Sequence, residues 1–292
     1  MTLPRPFKFG DRVLDLAIPR VMGILNVTPD SFSDGGELMN NGKADLDKIL
    51  ARAESMVSAG ADFLDIGGES TRPGAATVTE AEELERVAPV VEALSQRFDV
   101  VLSVDTSSPL VMSVCAGVGA GLINDVRALG RSGAMLAAAQ TGLPVCIMHI
   151  QGRPKTMQVA PSYTDVVSEV LEYLEERVKL CIAAGISKEN IIVDPGFGFG
   201  KSLAHNLTLL GNLEKLLKLE LPLLVGLSRK RMLGFITDKP EKDRLAAGLA
   251  AAVVAVMKGA CIVRTHDVSE TVDALKLCDR VRAAGRLDEF VG

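Results

Sequence analysis

Eight short apolar runs alternate with longer helical stretches along this 292-residue chain, and this alternation limits the fold more than any other feature. The runs are rich in Val, Ile and Leu, as expected of parallel strands that are buried on both faces. The predicted strands are 21–25, 63–66, 100–104, 121–123, 145–148, 191–193, 223–227 and 261–264. The predicted helices are about 43–59, 79–97, 108–117, 132–141, 163–184, 203–217, 242–258 and 268–284.

Eight such units in one chain favour a closed (β/α)8 TIM barrel of the α/β class. Residues 7–16 alternate around a Gly-Asp turn and predict an N-terminal β-hairpin before the barrel. A doubly wound open sheet is the alternative, but no Gly-rich dinucleotide fingerprint follows the first strand. We therefore predict one domain over residues 1–292, with the hairpin at about 6–17 and the barrel at about 20–285.

The net charge of -5 argues against a general affinity for nucleic acid or an anionic membrane. The longest apolar run, Leu245 to Met257, is short of the roughly 18 residues that a membrane span needs. The first residues lack the apolar core of a signal peptide, so we expect a cytoplasmic protein. The five cysteines are scattered without a CxxC pair and are predicted to be buried apolar residues, and the three dispersed histidines predict no zinc site.

The predicted helix 242–258 is apolar on nearly every face. A helix of this kind has to be covered on both sides. We therefore predict that the outside of the barrel meets a second copy of the chain, forming a homodimer.

Polar side chains follow the predicted strands, and the carboxyl ends of barrel strands converge on one opening. Carboxylate and amide groups dominate near residues 105, 124 and 194, whereas cationic groups dominate near 230 and 264. This separation predicts two subsites. Asp105, Asn124 and Asp194 would hold a flat heterocycle rich in hydrogen-bond donors. Arg264, His266 and Arg72 would hold a polyanion.

Two long loops follow the first two predicted strands, at residues 26–36 and 67–75. Their Gly, Ser and Pro content is typical of loops that close over a reacting group and exclude water, but also of solvated loops without a role. Phe32, surrounded by small polar residues, favours the functional interpretation.

Several motifs together resemble the dihydropteroate synthase family of bacterial folate biosynthesis. They are MGILNVTPDSFSDGG at 22–36, DIGGESTRPG at 65–74, SVDT at 103–106, IND at 123–125, MH at 148–149, DPGFGFGK at 194–201, SRK at 228–230 and RTHD at 264–267. The resemblance implies a transferase that joins 6-hydroxymethyl-7,8-dihydropterin diphosphate to 4-aminobenzoate and releases diphosphate. It also implies small-molecule substrates, Mg²⁺, a homodimer and a target for sulfonamides.

The resemblance also implies roles for individual residues. Asp194, Asn124 and Asp105 would accept hydrogen bonds from the pterin, Lys230 would donate to its O4/N5 side, and Met148 would pack against the ring. Arg264 and His266 would bind the diphosphate, with Asn26 as a Mg²⁺ ligand. Lys230, Arg264, His266 and Arg72 would be the catalytic residues.

The aminobenzoate would lie among Thr71, Pro73, Phe32 and Phe199. Some relatives use a serine hydroxyl where this chain has Arg231, and that contact cannot be transferred. The backbone N–H at a helix start, or the guanidinium itself, could serve instead.

Three other functions stay open from the sequence. The first is a methyltetrahydrofolate–corrinoid methyltransferase, which resembles the family in its barrel and pterin contacts. The second is a catalytically silent pterin-binding paralogue. The third is a metabolic barrel with an unrelated phosphate ligand, which would explain the basic strand ends but not the Asp–Asn–Asp set.

Overall fold

A computed structural model describes residues 6–28, 38–40, 43–70, 78–152 and 156–288. The strands in chain order are β1 Phe7–Phe9, β2 Arg12–Leu14, β3 Arg20–Asn26, β4 Met39–Asn40, β5 Lys43–Ala44, β6 Phe63–Gly67, β7 Val101–Asp105, β8 Leu122–Asp125, β9 Val145–Met148, β10 Ile191–Asp194, β11 Leu224–Gly226 and β12 Ile262–Thr265. The β1–β2 and β4–β5 pairs are antiparallel. The first of these pairs is the predicted hairpin.

Eight parallel strands form one sheet, in the order β10-β9-β8-β7-β6-β3-β12-β11. β3 pairs with β12, so the first and last of these strands are neighbours. A parallel bridge between Val193 and Leu223 joins the remaining two edges. The predicted (β/α)8 barrel is therefore confirmed, and the doubly wound open sheet is wrong.

The helices are α1 Leu46–Ser58, α2 Glu80–Arg97, α3 Pro109–Gly117, α4 Ala134–Thr141, α5 Val166–Ala183, α6 Leu203–Gly211, α7 Arg231–Thr237, α8 Leu245–Met257 and α9 Val268–Asp288. Several begin at side-chain caps that the sequence contains. Thr79 and Glu82 form a reciprocal capping box at the start of α2, and Ser108 caps α3 immediately before Pro109. Within the described ranges, no helix has the length and apolar character needed to cross a membrane.

Two helix predictions were wrong. The predicted helix 203–217 ends at Gly211, and a 3-10 helix follows at Leu213–Leu219. Between them, the Asn212 side chain donates to the carbonyl of Thr208 at 2.9 Å, in competition with the helical backbone bonds. The short helix α7 was not among the predicted helices, although a helix start was expected at Arg231. It contains Gly234, where a side chain would collide with the guanidinium of Arg244.

Side chains in the barrel alternate between its interior and the surrounding helices. One buried apolar cluster takes a residue from each of the eight strands, so it fills the interior. Its strand members are Met22, Phe63, Val101, Leu122, Cys146, Ile192, Leu224 and Ile262. Phe7, Phe9 and Leu16 join this cluster from the N-terminal segment, and the Phe9 ring meets the edge of Phe63 at 4.8 Å. The hairpin therefore closes the amino-terminal end of the barrel.

The next inward positions, two residues further along each strand, are mostly polar. Six of the eight are Asp65, Ser103, Asn124, Met148, Asp194 and Arg264, and the other two are Ile24 and Gly226. The interior is thus apolar at its base and polar towards the carboxyl ends of the strands. This change places the candidate site. All five cysteines are buried, as predicted.

Candidate active site

Four side chains form a hydrogen-bonded layer across the barrel, which we call the floor: Asp65, Ser103, Asn124 and Arg264. Arg264 Nε donates to Asp65 Oδ2 at 2.6 Å, and Ser103 Oγ donates to Asp65 Oδ1 at 2.5 Å. The amide Nδ2 of Asn124 lies 3.3 Å from each carboxylate oxygen of Asp65. Asp65 is therefore the hub of the floor.

Asp105 lies one inward position above the floor. Arg264 Nη2 donates to its Oδ2 at 3.1 Å, so one guanidinium joins two carboxylates. Burial and the charge of Asp65 raise the pKa of Asp105, while Arg264 opposes the rise. Arg264 was expected on a separate cationic side. The structure instead places it among the acidic residues.

Gly67 separates Asp105 from Asn26. A Cβ at this glycine would lie 3.7 Å from Asn26 Oδ1 and 3.8 Å from Asp105 Oδ2. Strand register aligns the three residues, since Asn26 pairs with Gly67 and Gly67 with Asp105. Because glycine has no side chain, the oxygens of Asn26 and Asp105 face the same space.

Asp194 ends β10 and is only 7% exposed. Burial raises its pKa to about 6, against the hydrogen bond from Gly196 N–H and the charge of Lys230. The Gly196 N–H to Asp194 Oδ1 distance is 2.7 Å. Met148, its register partner on β9, is also buried. The carboxylate is thus held at the end of a buried strand, as the sequence predicted.

The glycine-rich loop, residues 196–200, lies against the chain after β9. Gly196 and Gly200 have φ of +68° and +62°, and a Cβ at either would collide with the backbone oxygen of His149 or Gln151. Only glycine permits this approach. The loop therefore brings the half-buried Phe199 to the site.

A buried lysine fixes the glycine-rich loop from beneath. Lys201 is 3% exposed, and its Nζ donates to the carbonyls of Gly196 at 2.9 Å and Phe199 at 3.1 Å. It also lies 2.8 Å from Nδ1 of His149. Burial lowers the pKa of Lys201 to about 7, and burial together with Lys201 lowers the pKa of His149 to about 3. The His149 ring is therefore neutral, and Nδ1 accepts from the lysine.

Lys230 lies across the site from the floor, with Nζ 4.4 Å from the centre of the Phe199 ring. It immediately precedes α7, whose first residue is Arg231. The helix start expected at Arg231 is confirmed. The Arg231 side chain is exposed, and its guanidinium lies 5.5 Å from the centre of the Phe235 ring.

An ion pair joins the segments after β11 and β12. Arg229 Nη2 lies 2.6 Å from Asp267 Oδ1. Next to this pair, Ser228 Oγ accepts from the backbone N–H of His266 at 3.3 Å and lies 3.1 Å from its Nδ1. The pair therefore fixes Lys230 and His266 at neighbouring strand ends.

Four predicted site residues lie outside the described residues: Phe32, Thr71, Arg72 and Pro73. Their assignments stay predictions. The described chain brings together Asp105, Asn124, Met148, Asp194 and Arg264 inside one barrel, with Asn26, Phe199, Lys230 and His266 at its carboxyl end. No group of three or more His, Cys, Asp and Glu side chains that could hold a metal occurs among the described residues.

Two residues that organise the site, Asp65 and Lys201, were assigned no role from the sequence. Asp65 carried a signal, because a carboxylate inside the apolar strand FLDIG has to find buried partners. The sequence contained little signal for Lys201, since a lysine after a glycine-rich loop is usually solvated. His205 has a structural role, because its Nδ1 accepts from Ser202 N–H and completes the cap of α6.

Comparison with known proteins agrees with this geometry. Residues 22–266 match the model of the pterin binding enzyme family. Dihydropteroate synthase of Escherichia coli (strain K12) is 55% identical over 271 residues, which are 93% of this chain and 94% of the relative.

Two solved structures are also similar to the whole chain. The Yersinia pestis dihydropteroate synthase in a sulfonamide drug complex has a TM-score of 0.92 and 54% identity, and the match covers 95% of this chain and 99% of the other. The Xanthomonas albilineans dihydropteroate synthase with 4-aminobenzoic acid has a TM-score of 0.88 and 47% identity, with coverage of 97% and 99%.

Proposed function

Since this chain belongs to the pterin-binding enzyme family, and within it to the dihydropteroate synthases, we propose how its barrel carries out that reaction. The substrates are 6-hydroxymethyl-7,8-dihydropterin diphosphate and 4-aminobenzoate, and the products are 7,8-dihydropteroate and diphosphate. The C–O bond from the pterin methylene to the diphosphate breaks, a C–N bond to the arylamine forms, and the amine loses a proton.

The pterin ring binds above the floor. Asp194 accepts from the 2-amino group and N3–H, and Asp105 and Asn124 accept from the remaining donors. Lys230 donates to the O4/N5 side, and Met148 provides apolar surface. The observation that carries this assignment is the convergence of half-buried Asp105 with buried Asn124 and Asp194 on one interior that also holds Arg264.

The diphosphate lies towards His266 at the carboxyl end of β12, with Arg72 as a further cation. Arg264 reaches the same region only with its outer edge, because Asp65 and Asp105 hold its Nε and Nη2. Departure of the diphosphate is favoured by positive groups placed where its charge develops.

Asn26 is suited to hold a Mg²⁺ ion. Mg²⁺ prefers oxygen ligands, and at phosphate sites it keeps several waters and uses one or two protein ligands. The Asn26 amide oxygen faces open space across Gly67, beside the carboxylate of Asp105. When bound, the ion would offset the negative charge of the leaving group.

The 4-aminobenzoate lies over Phe199, with Phe32, Thr71 and Pro73 completing its pocket. Flat aromatic and proline faces suit a benzoate ring. Arg231, or the N–H groups that begin α7, would meet its carboxylate. The contact between Lys230 and Phe199 supports a pocket next to the pterin, as attack on the methylene requires.

No protein nucleophile takes part. Cys146 lies inside the barrel, but burial and Asp194 raise its pKa well above the ordinary value, so it stays a thiol. Loss of diphosphate leaves a cation delocalised into the pterin ring, which the arylamine captures. Catalysis therefore consists of positioning the two rings and stabilising charge.

We also propose that the chain is a cytoplasmic homodimer and that sulfonamides bind in place of aminobenzoate. The dimer is supported by apolar side chains exposed on α7 and α8: Phe235 at 64%, Ile236 at 55%, Val254 at 42% and Met257 at 53%. The sulfonamide site is supported by the Yersinia pestis relative, whose structure is a sulfonamide drug complex.

The test is a reaction of the purified protein with both substrates and Mg²⁺, with 7,8-dihydropteroate detected by its mass. We expect product only when all components are present. Pterin binding without product formation would instead support the silent paralogue. If the protein neither binds the pterin nor forms product, the proposed function is contradicted.

A further inference from the structure

Asp65 has an unusual position for an ionisable residue. Its side chain is fully buried in the middle of β6, in the same layer as Asn124 and Arg264. It accepts hydrogen bonds from side chains on three other strands of the barrel, Ser103 on β7, Asn124 on β8 and Arg264 on β12. Burial of a carboxylate costs free energy of desolvation, and only interactions with its partners offset that cost.

The first partner that needs Asp65 is Arg264. This side chain is 22% exposed and could extend towards the opening of the barrel. The 2.6 Å hydrogen bond from its Nε to Asp65 keeps the guanidinium in the floor. The 3.1 Å hydrogen bond from its Nη2 to Asp105 fixes the plane of the group. The outer edge of the group is then directed at the space above the floor.

The second partner is Asn124. An ionised carboxylate only accepts hydrogen bonds, so the atom of Asn124 that faces Asp65 has to be its NH₂ group. The amide oxygen is consequently turned away from Asp65, towards the site. An asparagine amide can rotate by 180°, and the carboxylate of Asp65 makes one of the two orientations unfavourable. Asn124 is thereby an acceptor for a ligand N–H.

We propose that Asp65 is a positioning residue for pterin binding, which holds the Arg264 guanidinium and fixes the donor–acceptor direction of the Asn124 amide. The inference rests on the proposed function for the identity of the ligand. Asp65 does not touch the pterin. It determines which atoms the floor presents to the ring.

The test uses the variants Asp65→Asn and Arg264→Met and their combination. Asp62→Asn is the matched control, because Asp62, immediately before the first residue of the same strand, is also paired with an arginine, Arg20 Nη1 at 2.9 Å. The probes are 6-hydroxymethylpterin, which lacks the diphosphate, and the diphosphate substrate. Their affinities are measured by calorimetry, and kcat and KM are measured for each variant.

We expect Asp65→Asn to weaken binding of the ring alone by ~30-fold or more, whereas Asp62→Asn changes it by less than about 2-fold. Because Asp65 acts partly through Arg264, the double variant should bind far better than the product of the two single losses predicts. Losses that multiply, or equal effects of Asp65→Asn and Asp62→Asn, would overturn the proposal.

Melting temperatures provide a measurement without ligand. Arg264→Met leaves the Asp65 charge buried without its cationic partner, so adding Asp65→Asn should raise the melting temperature of that variant. A further decrease would contradict the pairing. This arm also serves if Asp65→Asn alone does not fold.

The proposed function and the role of Asp65 can fail separately. If the wild-type protein forms dihydropteroate but the two losses multiply, only the role of Asp65 is lost. If the wild type binds the ring, the losses do not multiply, and yet no product forms, the proposed reaction is wrong and the role of Asp65 stands.

Discussion

At the scale of single residues, burial gives the carboxylates of the site their chemical character. Asp194 has a pKa of about 6 because the barrel interior disfavours its charge, although Gly196 N–H and Lys230 partly compensate. It is therefore close to changing protonation state at physiological pH. Only the ionised form can accept two hydrogen bonds from the pterin.

Asp194→Asn should weaken pterin binding by about 100-fold, which corresponds to about 3 kcal/mol for the lost charged contacts. Wild-type affinity should fall as the pH is lowered below about 6, because protonation removes the acceptor. The variant should lack that part of the pH dependence. Calorimetry between pH 5 and 8 measures both effects, and an unchanged affinity for Asp194→Asn would exclude the role.

At the scale of structural elements, the glycine-rich loop is an ordered part of the site. Its glycines allow close contact with the backbone after β9, and Lys201 binds two of its carbonyls from below. The same loop supplies the N–H that Asp194 accepts and the ring over which Lys230 lies. One buried ammonium thus holds groups assigned to both substrates.

Lys201→Met should remove a pH dependence of stability. The pKa of Lys201 falls from its ordinary value of 10.5 to about 7 on folding, so the folded state binds fewer protons between these values. Stability from this group is therefore lowest below pH 7 and rises with pH up to about 10.5. Between pH 7 and 9 the wild type should gain about 2 kcal/mol relative to the variant in urea unfolding. Parallel pH profiles would contradict the assignment.

The hairpin is the element that closes the other end of the barrel. Phe9 is 1% exposed and packs edge-on against Phe63. Phe9→Ala should lower the free energy of unfolding by about 3–5 kcal/mol through the cavity it leaves. Since the hairpin is remote from the floor, kcat of the folded variant should match the wild type. A large loss of kcat without loss of stability would show that the base of the barrel affects the site.

At the scale of the whole molecule, closing the sheet removes its edges and leaves the helix layer as the surface for association. α8 follows the short helix α7, and both expose apolar side chains on the same part of that layer. Surface of this kind on a folded chain is a candidate interface. It also lies next in sequence to Lys230, so an interface there would stabilise the segment that carries this lysine.

Val254→Glu should dissociate the proposed homodimer, because it places a charge within the exposed apolar surface of α8. Leu207→Glu is the matched control, with 43% exposure on α6 against 42% for Val254. Sedimentation velocity should show the dimer dissociation constant rising by at least ~10-fold for Val254→Glu only, since a buried unpaired charge costs more than about 1.4 kcal/mol. A monomeric wild type, or equal effects of both variants, would contradict the interface.

The amino-acid sequence by itself determined the order of the eight barrel strands and of most helices, the hairpin, and the end of the barrel at which the site lies. These features follow from local patterns: period-two and apolar runs form strands, and all parallel strands of a barrel point their polar carboxyl ends the same way. The sequence could not show that the predicted helix 203–217 stops before Asn212. That break depends on a hydrogen bond from the Asn212 side chain to a backbone carbonyl.

Only the tertiary structure decided which polar residues are partners. Arg264 was expected to lie apart from the acidic residues, but it bonds to Asp65 and Asp105, which precede it by 199 and 159 positions. Lys201 likewise reaches His149 on the neighbouring strand end. Periodicity gives the direction of a side chain along its own strand. It gives neither the neighbour that a long side chain reaches across the barrel nor the buried charge that holds it there.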